Sequence, residues 1–244
     1  MKTHLVTFYS TNHEDVFKPG ALQLENSYTQ GGFDSFKCYT EKDIILTEKQ
    51  LEFLRNNERG FGFWAWKPVV VLSRLNEVED GDIVVYHDCG RAFYNYKFTE
   101  NIKPLVDKVI NEHGGVGVAF GHWHHKEYTK TECFNVMGCT DSYYKDSHQA
   151  VATWHIWKKQ PISFEILHTW KIWNFHHSEI ITDKGADKKD QPAGYHGHRH
   201  DQSILTNIIL KVSKVSKTIK PILQTSSFWE KNINTWIIKS KPAI

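Results

Sequence analysis

An acidic residue directly follows a short apolar run near the middle of the chain. Residues 82–87 read DIVVYH, and Asp88 comes next. A nearly continuous apolar run of this length is typical of a strand covered on both faces, and ligands of open α/β sheets gather at the carboxyl ends of such strands. A carboxylate there can bind Mg²⁺ or Mn²⁺, which in turn binds a diphosphate. We therefore predict that Asp88 is a metal ligand, with a simple turn cap as the alternative.

Aromatic rings and a lysine precede a predicted helix at residues 60–68, which read GFGFWAWKP. Pro68 fits the first turn of a helix, and the N terminus of a helix favours anions. Lys67 is therefore placed to meet a phosphate. Two glycines and several rings also suit a plain corner before a helix, so a purely structural role stays open.

A third polar segment, residues 197–203, reads GHRHDQS. It places an imidazole on each side of Arg199 and brings a carboxylate, Asp201, to the start of a predicted helix. Asp201 can act as the helix N-cap. The free backbone N–H groups at that end predict a lowered pKa for Asp201, so that it stays ionised at neutral pH.

Residues 122–125, HWHH, offer a competing transition-metal site. Histidines two or three residues apart can bind zinc, but catalytic zinc sites need more than this spacing. No HExxH motif occurs in the sequence. We therefore interpret the run as a polar surface of aromatic rings.

The elements that position these residues alternate along the first 120 residues. Residues 47–50, TEKQ, form a capping-box pattern. Strands are predicted at 4–9, 33–39, 82–87 and 116–120, and helices at 48–57, 68–79, 98–112 and 202–212. Alternation of this kind predicts an α/β fold with a mostly parallel sheet and helices on both of its faces.

Composition limits the class of protein. The 244 residues are 40% hydrophobic and 24% charged, which favours one globular domain. A net charge of +2 gives no reason to expect nucleic acid as a partner. The four cysteines lack CxxC spacing, so we predict reduced thiols and a cytoplasmic protein without a signal peptide. No apolar stretch is long enough to span a bilayer, and the seven lysines of residues 211–244 allow at most a peripheral membrane contact.

The order of these segments resembles bacterial and viral nucleotide-sugar glycosyltransferases with a GT-A fold, many of them associated with capsular or surface polysaccharide. The resemblance covers most of residues 1–215 and rests on the runs HLVTFYST, GFGFWAWKPVVVLSRL, GDIVVYHDCG, EYTKTECF and HRHDQSIL. It implies a GT-A-like, Rossmann-type single domain with a nucleotide-binding half at 1–120, an acceptor and catalytic half at 121–215 and a helical tail at 216–244. It further implies transfer of a sugar from a nucleotide diphosphate sugar, with a UDP-sugar favoured, to a glycan hydroxyl, with Mn²⁺ or Mg²⁺ as cofactor.

The resemblance also implies roles near the nucleotide. Residues expected to contact the base or line its pocket are Thr7, Tyr9, Ser10, Trp66 and Lys67. Asp88 falls where the family's D-x-D motif binds metal and diphosphate, but the second Asp of that motif is here Gly90. A further metal ligand must then come from water or from elsewhere, and we predict His198, with His196 behind it.

Asp201 and Gln202 fall where the family keeps acidic and amide groups beside the donor sugar and the acceptor. A carboxylate there either deprotonates the acceptor hydroxyl or stabilises an oxocarbenium-like centre, and the sequence does not choose between these mechanisms. The missing second Asp leaves an alternative open. The chain could be a noncatalytic nucleotide- or carbohydrate-binding module on the same fold.

Overall fold

One six-stranded sheet forms the centre of the molecule in the computed structural model, which describes residues 1–91, 94 and 97–223. Its strands are β1 (Thr3–Phe8), β2 (Ser35–Tyr39), β3 (Ile83–His87), β4 (Val116–His124), β5 (His148–Lys158) and β6 (Ile222–Leu223). They lie in the order β2-β1-β3-β5-β4-β6. β1 pairs in parallel with both β2 and β3, so the carboxyl ends of these strands meet at one edge.

Ten α-helical segments surround the sheet within the described residues. They are α1 (Glu14–Ser27), α2 (Glu48–Asn56), α3 (Gly60–Phe63), α4 (Lys67–Glu77), α5 (Lys103–Glu112), α6 (Thr131–Val136), α7 (Ser142–Lys145), α8 (Pro161–His176), α9 (Ser178–Ile181) and α10 (His200–Val215). The predicted capping box is confirmed, since Thr47 Oγ1 accepts from Gln50 N and Gln50 Oε1 accepts from Thr47 N. The helix predicted over 98–112 begins later, at Lys103.

The prediction of a mostly parallel sheet is wrong, because β5 runs antiparallel to both of its neighbours, β3 and β4. His124 at the end of β4 pairs with His148 at the start of β5. The connection over 125–147 therefore leaves and re-enters the sheet at the same edge, and β5 must run back. A parallel return requires a crossover along the whole strand length, whereas α6 and α7 have only six and four residues.

Apolar side chains pack on both faces of the sheet, which confirms the predicted placement of helices. On one face, α4, α8 and α10 pack in a cluster that contains Val6 and Val84. On the other face, α1 and α5 pack in a cluster that contains Leu5 and Val85. Successive residues of a strand point to opposite faces, and all five residues of β3 are buried as predicted.

The C-terminal end of the chain is described only in part. Residues 224–244, most of the segment predicted as a helical tail, lie outside the described residues. Just before them, Ile222–Leu223 form β6 beside β4. In the described part of the chain, no helix combines the length and the apolar character needed to cross a membrane.

Candidate functional site

One cavity of about 420 Å³ opens at the carboxyl ends of β1 and β3. Tyr9 and Ser10 follow β1, and Asp88 and Cys89 follow β3; all four line this cavity. The cavity, called the Asp88 cavity below, lies where ligands of α/β sheets gather. The parallel pairing of β1 with β3 therefore brings together residues that are almost 80 positions apart in the sequence.

Aromatic rings form most of the wall of the Asp88 cavity. The rings come from Phe8, Tyr9, His13, Phe17, Phe61, Trp64, Trp66 and Tyr86. Phe8 stacks on Trp66 with ring centroids 4.0 Å apart, and Trp66 Nε1 donates to Gly60 O at 3.0 Å. This wall suits a flat ligand with polar edges.

The charged side chains that line the Asp88 cavity are acidic. Glu58 and Asp88 line it, and no lysine or arginine appears among its described lining residues. Ser10 also lines it: the side chain is buried, and its Oγ has no hydrogen-bond partner within the described structure. A buried polar group without a partner is costly, so a ligand that satisfies Ser10 Oγ gains affinity.

A left-handed turn supplies part of the aromatic wall. Residues 60–64 all have positive φ, including 49° at Phe61, 55° at Phe63 and 60° at Trp64. A left-handed conformation costs a residue with a side chain roughly 1–2 kcal/mol. Phe61 and Phe63 are buried, so packing holds the turn in place. Strain of this kind clusters at functional sites.

The two oxygens of the Asp88 carboxylate differ in their contacts with the described residues. Oδ1 accepts from Tyr86 Oη at 2.5 Å and lies 3.3 Å from Lys67 Nζ. Oδ2 accepts no hydrogen bond from any residue that the structure describes, and the side chain is 26% exposed. The backbone is fixed as well, because Asp88 N donates to Thr153 O at 2.8 Å. A rigidly held carboxylate oxygen is therefore available to a ligand.

The loop after β3 is held by a close contact with α1. A Cβ atom added at Gly20 would lie 2.1 Å from Cys89 O, so the helix backbone packs directly on this loop. Cys89 Sγ donates to Phe8 O at 3.2 Å. Burial raises the pKa of the Cys89 thiol to about 12, so this thiol stays protonated and is no nucleophile at neutral pH.

Lys67 lies beneath the cavity and is only 4% exposed. Its Nζ donates to Ala152 O at 2.9 Å and lies near the carboxylates of Asp88 and Asp201. Burial disfavours the Lys67 charge, but the two carboxylates outweigh this effect and raise its pKa above the usual value. Lys67 does not line the cavity. A phosphate would have to displace one of these protein oxygens to reach it.

Asp201 is buried at the start of α10, with Oδ2 3.7 Å from Lys67 Nζ and no hydrogen-bond partner in the described residues. Burial raises its pKa to about 7; Lys67 works against this shift and Asp88 adds to it. The prediction of a lowered pKa is therefore wrong, because desolvation outweighs the helix N terminus. Asp201 does not line the Asp88 cavity.

The other residues predicted near the nucleotide and the sugar take different positions. Tyr9, Ser10 and Trp66 line the Asp88 cavity. Thr7 is buried, and its Oγ1 donates to His87 O at 2.7 Å, which ties the ends of β1 and β3 together. Gln202 Nε2 donates to Gln149 Oε1 at 3.0 Å.

His198 does not line the Asp88 cavity. It lines a second cavity together with His196 and Arg199. Its Nε2 donates to Ile180 O at 2.6 Å, and its Nδ1 lies 3.4 Å from Lys130 N. Burial holds the pKa of His198 well below its usual value. His198 would have to give up one of these contacts to bind a metal.

No protein-only metal centre is formed by the described residues. Within them, no three His, Cys, Asp or Glu side chains are grouped to hold an ion. In the histidine run at 122–125, the side chains of His122, Trp123 and His124 are exposed, as interpreted from the sequence. His125 does not belong to that polar surface, because it is buried, with Nε2 3.0 Å from Asn207 Oδ1 and Nδ1 2.9 Å from Thr129 Oγ1. Burial lowers the pKa of His125 to about 3.

Lys67, Asp88 and Asp201 form a charge cluster, and two of its partners were not predicted from the sequence. Tyr86 could have been found, because residues i and i+2 of a strand share a face and Tyr86 stands two positions before Asp88. Ala152 O carries no sequence signal, since it reaches Lys67 only through the antiparallel placement of β5.

No family model matches the sequence, and no curated protein is similar to it. The solved structures that are similar to the chain include two of LgtC. The crystal structure of galactosyltransferase LgtC in complex with donor and acceptor sugar analogues has a TM-score of 0.42 at 13% identity, over 84% of this chain and 70% of that one. An active-site mutant of LgtC has a TM-score of 0.43 at 11% identity, over 95% of this chain and 83% of that one.

Proposed function

We propose that the chain is a glycosyltransferase that moves a sugar from a nucleotide diphosphate sugar, with a UDP-sugar as the favoured donor, to a hydroxyl group of a glycan acceptor. One observation carries the proposal. Asp88 Oδ2, which accepts no hydrogen bond from a described residue, belongs to a partly exposed carboxylate in an aromatic cavity at the carboxyl ends of two parallel strands. A nucleotide diphosphate matches both the aromatic wall and the carboxylate, provided that a cation lies between them.

The charge of the cavity argues for Mn²⁺ or Mg²⁺. Glu58 and Asp88 repel a diphosphate, and the described lining residues include no lysine or arginine to offset them. Mg²⁺ is usually held by one or two carboxylates together with substrate phosphates and water, so the single Asp88 carboxylate fits such an ion. When bound, the cation would neutralise the charge that develops on the leaving diphosphate. His198 remains our candidate for a second ligand.

The aromatic wall supports binding of the nucleotide base. The stacked rings of Phe8 and Trp66 offer an apolar face, and a base binds between such faces by stacking. Ser10 Oγ, buried and unpaired in the described structure, offers a hydrogen bond beside them. Tyr9 lines the same cavity.

Lys67 holds the metal-binding carboxylate in place on this proposal. By engaging Asp88 Oδ1 together with Tyr86, it keeps the other oxygen available to the cavity. Asp201 Oδ2 lies 3.7 Å from the same Lys67 ammonium, and in this arrangement Asp201 acts as a positioning residue. Direct contact of Asp201 or Gln202 with the sugar stays a prediction.

A noncatalytic nucleotide- or carbohydrate-binding module is the second candidate. Two observations favour it: Asp201 is 3% exposed and does not line the Asp88 cavity, and Gly90 stands where a second carboxylate would bind the metal. The two candidates differ in turnover. Release of nucleotide diphosphate from a bound donor indicates a transferase, whereas tight binding without release indicates a module.

A thermal-shift screen of nucleotide sugars with and without Mn²⁺ tests the proposed function. Binding of a ligand to the folded state raises the free energy of unfolding by RT ln(1 + [L]/Kd). A true donor should therefore raise the Tm strongly only when Mn²⁺ is present. Asp88→Asn should lose the Mn²⁺-dependent rise in Tm, and its matched control is Asp146→Asn, which alters an exposed carboxylate already paired with Lys126. If no nucleotide sugar raises the Tm more with Mn²⁺ than without it, the proposal fails.

A further inference from the structure

The second cavity has a volume of about 480 Å³ and begins one residue away from the first, since Glu58 lines the Asp88 cavity and Arg59 lines this one. We call it the Arg199 cavity. Its side chains are mostly polar: Arg59, Tyr128, Asp183, Asp187, Lys188, His196, His198 and Arg199. Apart from His198, the candidate second metal ligand, none of these residues has a role in the proposed binding of the nucleotide.

An uncompensated positive charge remains in the Arg199 cavity. Arg59 Nη1 donates to both oxygens of Asp183, at 3.1 and 3.0 Å, so these two charges neutralise each other. Among the remaining charged side chains of the cavity, two are cationic, Lys188 and Arg199, and one is anionic, Asp187. No described carboxylate lies within ion-pair distance of Arg199 or Lys188. The cavity can therefore accept an anion.

A row of aromatic rings extends from the Arg199 cavity to Trp123, near the end of β4. The Arg199 guanidinium lies 5.1 Å from the centre of the Tyr128 ring, and the His196 ring lies 5.5 Å from it. On another side, Trp123 contacts Tyr128 edge to face at 6.0 Å and is 49% exposed. Flat amphipathic rings suit sugars, which have both apolar faces and polar edges.

Backbone hydrogen bonds hold this surface in place. His196 N donates to Glu127 O at 2.7 Å, and Arg199 N donates to Tyr128 O at 3.0 Å. These two bonds fasten the loop that carries the imidazole and the guanidinium onto the segment that carries the Tyr128 ring. A preorganised surface loses less entropy when it binds a ligand.

In the sequence, the Arg199 cavity and the cluster of Lys67, Asp88 and Asp201 are only two residues apart, at Arg199 and Asp201. His200 has φ of 49°, and this turn separates Arg199, which lines the second cavity, from Asp201, which contacts Lys67. We propose that the Arg199 cavity and Trp123 bind a saccharide that bears an anionic group, with the sugar ring on the aromatic side chains and the anion at Arg199. On the proposed function, this saccharide is the acceptor.

Calorimetric titration without any nucleotide tests this inference. The probes are the methyl glycosides of glucuronic acid, of glucose 6-phosphate and of glucose, which separate a carboxylate from a phosphate and both from a neutral sugar. We expect an anionic probe to bind roughly tenfold tighter than the methyl glycoside of glucose, because one charge-assisted hydrogen bond supplies a free-energy difference of that size. The tighter of the two anionic probes identifies the group.

Variants locate the binding surface. Arg199→Gln should remove the preference for the anionic sugar, and Trp123→Ala should weaken all three probes by a similar factor. Arg55→Gln is the matched control, because Arg55 is exposed on α2 and does not line the Arg199 cavity. Equal affinity for charged and neutral sugars, or a preference that survives Arg199→Gln, overturns the inference.

The inference and the proposed function can fail separately. An anionic preference that depends on Arg199, found together with no Mn²⁺-dependent effect of any nucleotide sugar, supports the saccharide site and contradicts the transferase. A Mn²⁺-dependent donor effect with no anionic preference contradicts the saccharide site alone.

Discussion

The ammonium nitrogen of Lys67 lies 3.3 Å from Oδ1 of Asp88, although the lysine is almost completely buried. The ion pair determines which carboxylate oxygen remains available to the cavity. It also links a side chain at the start of α4 to the end of β3, so packing and ligand binding depend on the same contact.

Replacing Lys67 by methionine should lower the free energy of unfolding by about 3–5 kcal/mol, the usual result of removing one partner of a buried ion pair. The substitution leaves Asp88 and Asp201 without their shared cation. Urea unfolding measures the loss, and adding Asp201→Asn should recover part of it. Lys126→Met, which breaks an exposed pair with Asp146, is the control. Equal losses in Lys67→Met and Lys126→Met would contradict the account.

Asp201 should make stability depend on pH in a direction unusual for an aspartate. Its pKa is about 7 in the folded chain against a usual value of 3.8, so its contribution is fully present below about pH 4 and is lost as the pH rises through 7. The unfolding free energy of the wild type, relative to Asp201→Asn, should fall by up to about 1.4 kcal/mol per pH unit across that window.

Urea titrations at pH 4.5, 6 and 7.5 measure this difference. Asp141→Asn is the control with the opposite sign, because the hydrogen bond from Lys214 lowers the pKa of Asp141. A constant difference between the wild type and Asp201→Asn over the whole range shows that Asp201 ionises normally.

The strands that carry the Asp88 cavity could be predicted because their signal is local: a short apolar run, such as the one before Asp88, indicates a buried strand. The direction of β5 was not predictable in this way. It depends on where the chain re-enters the sheet, and the pairing of His124 with His148 leaves no local pattern. The raised pKa of Asp201 was not predicted either, because it results from burial, which leaves no local pattern in the sequence. This burial outweighs the effect of the helix N terminus.

Gly20→Ala should weaken nucleotide binding more than it weakens the fold. The new methyl group would meet Cys89 O at 2.1 Å, so the helix or the loop that carries Asp88 must shift. Calorimetry should show lower affinity for a Mn²⁺ nucleotide, while circular dichroism stays unchanged. Gly197→Ala is the control, because a Cβ there meets nothing within 4 Å. Unchanged affinity in Gly20→Ala would show that the position of this loop does not matter.

The left-handed turn at 60–64 should be sensitive to steric crowding as well as to φ. Gly62 and Gly81 have similar φ values of 79° and 86°, but a Cβ at Gly62 would lie 2.4 Å from Leu54 Cδ2, whereas one at Gly81 meets nothing. Gly81→Ala should cost about 1–2 kcal/mol for the left-handed backbone alone. Gly62→Ala should cost more in the same urea unfolding experiment. A smaller cost for Gly62→Ala would contradict the packing described for this turn.

The central claim is that Asp88 binds a nucleotide diphosphate through a divalent cation. The most direct measurement is calorimetric titration of UDP into the wild type and into Asp88→Asn, each with and without Mn²⁺. We predict that Mn²⁺ raises the affinity of the wild type at least tenfold, and that Asp88→Asn removes this gain while its unfolding transition stays cooperative. An equal gain from Mn²⁺ in both proteins would contradict the assignment of Asp88.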